Sequence, residues 1–112
     1  MSRKRVVIFI SGGGSNMEAL IRAAQAPDFP AEIVSVFSDK SDAGGLAKAQ
    51  AAGIATQVFT RKDYASKDAH EDAILEALAL LNPDIICLAG YMRLLSSKIN
   101  APYEGRILNI HP

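Results

Sequence analysis

Cysteine occurs once in this chain, at Cys87. That excludes an internal disulfide framework and a metal site built from thiolates alone. Charge of one sign is also lacking, because twelve Lys and Arg cancel twelve Asp and Glu. Without a basic surplus there is no electrostatic footprint for nucleic acid or an anionic membrane, so neither partner is expected. Long hydrophobic runs are missing too. The basic head "MSRKR" is followed by an apolar run only from Val6 to Ile10, too short for a secretion signal. Nothing approaches the roughly 20 apolar residues of a membrane helix. These absences fit a reducing cytoplasm and a small-molecule partner, and Cys87 in "DIICLAG" reads as a buried strand thiol.

What is present suffices for one domain: 112 residues, 49% of them hydrophobic, can close a real core. "RVVIFI" is a continuous β-branched and aromatic run, the pattern of a parallel strand buried on both faces. From Asn16 to about Ala26, Met17, Leu20, Ile21 and Ala24 recur at helical spacing until "APDFP" ends the helix. "AEIVSVF" reads as a second strand, "DAGGLAKAQAAG" as a helix stopped by Gly53, and "ATQVF" as a third strand. Asp68 to Leu81 places Ile74, Leu75, Leu78 and Leu81 on one helical face. "DIICLA" is a fourth strand, "RLLSSKINAPY" a short helical or irregular crossover, and "RILNI" a fifth strand. The alternation predicts an α/β fold, a parallel sheet with helices on both faces.

Ligands of such sheets bind beyond the carboxyl ends of the strands, where strand order reverses. That rule selects "SGGGSN" after the first strand, "AGYMRLL" after the fourth and "NIHP" after the fifth; if the order is 3-2-1-4-5, all three line one crevice. The glycines allow close approach of an anion to the backbone, and the following helix contributes free N–H groups and the positive end of its dipole. Ser15 and Asn16 are expected to cap that helix or to donate to a phosphate. A dinucleotide fingerprint starting at Gly12 would need glycine where Met17 stands, and no Gly-Lys-Ser/Thr triplet occurs. The loop therefore suits a phosphomonoester better than a pyrophosphate. Asp39 in "FSDK" reads either as a turn residue or as a ribose ligand. Asn109 and His111, two apart in an extended segment, are expected on one face. His70 in "SKDAHED" reads as a solvated residue, Tyr64 as part of a polar loop, and no spacing suggests a metal site.

"ISGGGSN", "FSDK", "AGIAT", "LAGYMRLLS" and "EGRILNIHP", in this order from about Arg5 to Pro112, resemble the glycinamide ribonucleotide formyltransferases, folate-dependent enzymes of purine synthesis. The resemblance implies the N-terminal half of a Rossmann-like formyltransferase fold, with 10-formyltetrahydrofolate as co-substrate and no metal. It implies that Gly14, Ser15 and Asn16 hold the substrate phosphate. Met92, Arg93, Leu94 and Leu95 would line the folate pocket, joined by Lys67 from the loop before the third helix. Lysine there keeps the charge of the commoner arginine and loses its planar fork. Asn109 would donate to the formyl oxygen, which also places it against the folate, and His111 would stabilise that oxygen or move a proton.

Members of that family continue past the proline and carry a later Asp that pairs with the catalytic His. The expectation is therefore that residues 1–112 form the N-terminal phosphate- and folate-binding part of a longer domain, inactive alone. Two other formyl-folate enzymes, methionyl-tRNA formyltransferase and formyltetrahydrofolate deformylase, share the Asn-x-His core. A nucleotide-binding module without chemistry would explain the sheet and Asp39 but not the Asn109 and His111 pair. Oligomeric state is not legible.

Overall fold

The computed structural model describes residues 3–110. Five parallel strands form one sheet in the order β3-β2-β1-β4-β5. Along the chain these are β1 (Lys4–Ile10), β2 (Ala31–Ser38), β3 (Thr56–Val58), β4 (Ile85–Ala89) and β5 (Ile107–Ile110). Helices α1 (Ser15–Ala24), α2 (Gly44–Ala51), α3 (Lys67–Leu81) and α4 (Ser97–Asn100) lie between them, with a 3₁₀ turn at Arg61–Asp63 before α3. The elements match the expected ones to within a few residues. The crossover after β4, expected to be short and helical or irregular, contains four helical residues.

The unbroken apolar run of β1 is explained by cover on both sides. Val6, Ile8 and Ile10 pack with Met17 and Ile21 of α1 and Leu46 and Ala49 of α2. Val7 and Phe9 pack on the opposite face with Ile74, Ala77 and Leu78 of α3 and Ile99 of α4. Alternate side chains of a strand point to opposite faces, so a central strand with two helical layers cannot carry a polar side. Cys87, on β4, is buried in the α1/α2 layer as expected. Its thiol is pushed up from the ordinary value by that burial.

Helix α3 has a defined beginning and end. The Ser66 side chain accepts a hydrogen bond from the Ala69 N–H at 3.0 Å, satisfying one of the free donors of the first turn. Asn82 closes the helix with φ 49°, a left-handed position that Asn adopts more readily than most residues. Pro83 follows, fully buried. The helix thus presents Ile74 and Leu78 inward while Leu80 stays 84% exposed.

That asymmetry has a measurable consequence. Leu78→Ala leaves a cavity in the α3 layer and is expected to destabilise the chain by about 2–5 kcal/mol. Leu80→Ala is expected to stay within about 0.5 kcal/mol of the parent. Urea unfolding of the two variants checks both values.

Candidate active site

The loops after β1 and β4 meet at the carboxyl end of the sheet. Gly14, with φ 71°, turns the chain into α1 and stands at its N-cap with no side-chain hydrogen bond. This corrects the expected capping role of Ser15 and Asn16. Ser15 is already the first helical residue, because the left-handed glycine makes the turn that a capping side chain would otherwise stabilise. Both remain at the helix N-terminus, beside exposed Gly12 and Gly13.

The glycine loop is supported from α2. Gly45 donates its N–H to the Gly12 carbonyl at 3.0 Å. A Cβ on Gly45 would lie 2.6 Å from Ile10 Cδ1 and 3.3 Å from Gly14 Cα, and one on Gly14 would lie 3.2 Å from Gly45 Cα. Two backbones approach here at a distance that no larger residue permits. Lys48 adds a second support, donating to the Gly13 carbonyl at 2.8 Å and pairing with Glu18 at 2.9 Å.

The segment after β4 forms one wall of a cavity of about 300 Å³, lined by Met92, Arg93, Leu94 and Leu95 together with Lys67. Five of the six residues expected near the folate therefore converge on one space, and Asn109 is not among its lining residues. Lys67 is the first residue of α3 and does not lie in the preceding loop, since Ser66 takes the cap position. Met92 and Leu94 are 76% and 87% exposed, which leaves their apolar side chains available for contact with a ligand or with further protein.

Both ends of this segment are anchored. Ser11 Oγ accepts a hydrogen bond from the Met92 N–H at 2.8 Å and donates to Asp39 Oδ1 at 2.6 Å. Asp39 Oδ2 in turn lies 3.2 Å from Arg93 Nε. At the other end, Glu71 accepts from the Ser96 N–H at 2.9 Å and from its hydroxyl at 2.6 Å. Asp39 and Glu71 are both buried, and each carboxylate is compensated by the donors it holds. The Asp39 carboxylate thus holds both Ser11 and Arg93.

His70 is buried, contrary to the expectation of a solvated residue. Its Nε2 lies 2.7 Å from the Phe59 carbonyl, to which it donates when that nitrogen carries the proton. The Tyr64 ring meets it edge-on at 5.4 Å between centroids. The 3₁₀ turn and Tyr64 are thereby fastened to α3. The physical reason is register, because His70 precedes Ile74 and Ala77 at spacings of four and seven and shares their inward face.

Asn109 lies near the end of β5, opposite Leu88 of β4, and is exposed. Alternation puts it on the same sheet face as Ile107, which packs against the α3/α4 layer. That is the face of the 91–95 cavity. His111 lies outside the described residues. Among the described residues no three His, Cys, Asp or Glu side chains come together in a way that could hold a metal. None of the described helices is long and apolar enough to cross a membrane.

Tyr91 directly precedes the anchored segment, with its ring edge-on to Phe9 at 5.2 Å. Burial holds its phenol well above the ordinary value, with Asp39 adding, Arg93 opposing and Glu71 adding further. A folded-state pKa above the unfolded one stabilises fully below the ordinary phenol pKa of about 10 and is lost as pH rises through the higher value. Urea midpoints above pH 10 are therefore expected to fall less steeply in Tyr91→Phe than in the parent. The raised thiol of Cys87 leaves a residual decline of the same sign in the variant.

Comparison with known proteins agrees with this geometry. Residues 4–112 match the family described as formyl transferase. The chain is 43% identical over 109 residues to phosphoribosylglycinamide formyltransferase of Haemophilus influenzae, covering 97% of this chain and 51% of that protein. It is 44% identical over 111 residues to the trifunctional purine biosynthetic protein adenosine-3 of Gallus gallus, covering 99% of this chain and 11% of that one. The crystal structure of phosphoribosylglycinamide formyltransferase from Brucella melitensis is similar with a TM-score of 0.97 and 84% identity, over 99% of this chain and 58% of that chain. This chain thus spans about half the length of its bacterial relatives. A match running through all five strands, at such identity, establishes that the chain belongs to the formyl transferase family.

Proposed function

We propose that this chain is the N-terminal phosphate- and folate-binding part of a phosphoribosylglycinamide formyltransferase, which moves a formyl group from 10-formyltetrahydrofolate to the amine of glycinamide ribonucleotide in a cytoplasmic purine pathway. The observation that carries the reading is the hydrogen bond from the Met92 N–H to Ser11 Oγ. It fixes a phosphate-suited glycine loop beside a cavity lined by apolar and cationic residues. An acceptor bearing a phosphate and a donor bearing a flat heterocycle and carboxylates need two such subsites side by side.

The chemistry follows from the groups at that end of the sheet. The substrate amine attacks the formyl carbon, forming a new C–N bond while the C=O electrons move onto oxygen. Collapse of this intermediate restores the carbonyl and breaks the bond to N10 of the folate. A proton leaves the amine and N10 gains one. Asn109 supplies an amide N–H for the developing oxyanion, and His111, as imidazolium, stabilises the same oxygen or carries the proton. Gly14, Ser15 and Asn16 would meet the phosphate through the N–H groups and dipole of α1. Lys67 would meet a folate carboxylate, with Met92, Leu94 and Leu95 against its apolar parts and Arg93 in the same wall, held by Asp39.

The test is formyl transfer measured with a polypeptide extended to the length of the bacterial relatives. Formylation of glycinamide ribonucleotide by 10-formyltetrahydrofolate is expected. Asn109→Ala should lower kcat by roughly 100- to 1,000-fold, the usual loss for one oxyanion donor. Hydrolysis of the formyl-folate with no transfer to the amine would point to a deformylase and overturn the assignment.

A further inference from the structure

The two loops assigned to the two substrates are joined through a single carboxylate that the reaction itself does not require. Asp39 leaves the end of β2 buried at the carboxyl edge of the sheet. One oxygen accepts a hydrogen bond from the Ser11 hydroxyl at 2.6 Å. With its hydrogen held there, Ser11 Oγ turns a lone pair to the Met92 N–H at 2.8 Å. The other oxygen of Asp39 holds Arg93 at 3.2 Å. Ser11 is joined directly to the glycine loop, and Met92 and Arg93 belong to the cavity wall.

We propose that Asp39 is a positioning residue that locks the glycine loop and the 91–95 segment into one register, so that the affinity of each substrate depends on the other loop being in place. The inference rests on the formyltransferase reading for its kinetic arm and on geometry alone for its structural arm. Several features make Asp39 suited to this. A hydroxyl can donate one hydrogen and accept at its lone pairs, so a carboxylate partner removes the freedom of Ser11 to rotate away from Met92. The contacts to Ser11 and Arg93 come from residues 28 and 54 positions away in the chain, so they carry the joining of β1 with its neighbours β2 and β4 past the last paired strand residues. The positive φ of Gly90, at 76°, sets the turn that brings Met92 back over Ser11.

Asp39→Asn keeps an acceptor for Ser11 and loses the charge that holds Arg93. Asp39→Ala loses both. Ser11→Ala removes the relay and leaves the carboxylate. Amide exchange in this chain reads the lock without any substrate. Exchange at Met92 is expected to quicken by about tenfold in Asp39→Ala and in Ser11→Ala, the change that one net hydrogen bond supports. Ile8 and Phe9 in β1 should keep their rates, and Asp39→Asn should retain most of the Met92 protection. In the extended enzyme, Asp39→Ala should raise KM for the formyl-folate by about tenfold, with kcat nearly unchanged. The Asp39→Ala and Ser11→Ala double variant should be no worse than the worse single, because loss of Asp39 already releases the contact that Ser11 makes.

Unchanged exchange at Met92 in Asp39→Ala would overturn the proposal, as would equal acceleration at Ile8, Phe9 and Met92, which marks a merely structural role. Independent, multiplying effects of the two substitutions on KM would also overturn it. If no variant and no parent transfers formyl groups, the proposed function fails while amide exchange still decides the lock.

Discussion

The arrangement of the site depends on the hydroxyl of Ser11, which at once donates to Asp39 and accepts from the Met92 backbone. Without it the loops after β1 and β4 would be neighbours by topology only. Strand order in an open parallel sheet brings their starting points together, but a loop that leaves a strand still has conformational freedom to lose. Here that freedom is removed by charge-assisted hydrogen bonds in a region screened from water. Such bonds are short and roughly twice as strong as neutral ones. Glu71 repeats the device at Ser96, so the cavity wall is held at both ends while the side chains of Met92 and Leu94 stay exposed.

Rigidity on the other side of the site comes from steric exclusion. Gly12, Gly14 and Gly45 bring two helix-leading turns to a separation that leaves no space for a Cβ at Gly45. The support under the glycine loop is backbone packed on backbone, braced by Lys48 and Glu18. Polar side chains therefore need not serve as caps, and Ser15 and Asn16 remain available at the N-terminus of α1. The two halves of the site use different physics for one end, a defined geometry with donors left free.

Much of this was legible in the sequence. The parallel sheet and its two cores follow from apolar runs too continuous for a strand with a wet face, and "RVVIFI" is the plainest case; the strand order was a supposition that the structure bears out. Three loops could be selected because topology dictates where strand ends meet. Lys67 and Met92 to Leu95 were found through resemblance to a known family, and one cavity unites them. What escaped was every residue whose partner is distant in sequence. His70 sits among "SKDAHED", a polar string that conceals its inward register. Glu71 shares a face with Ile74 and Leu78, at spacings of three and seven, and a carboxylate on an apolar stripe was the available signal for a buried anchor. Asp39 carried no local sign of a bond to Ser11. The cap at Gly14 was missed because residue preferences favour Ser and Asn, whereas a left-handed glycine closes the turn by conformation alone.

The central claim is that two small-molecule subsites share the carboxyl end of this sheet, one at residues 12–16 and one at Lys67 with residues 91–95. Amide chemical-shift mapping tests it most directly, with glycinamide ribonucleotide, a formyl-folate analogue and NAD added separately. The account predicts shifts confined to 12–16 for the ribonucleotide, shifts at 67 and 91–95 for the folate, and no saturable response to NAD. Saturable NAD binding centred on Asp39, with no response of the 91–95 segment to folate, would contradict it.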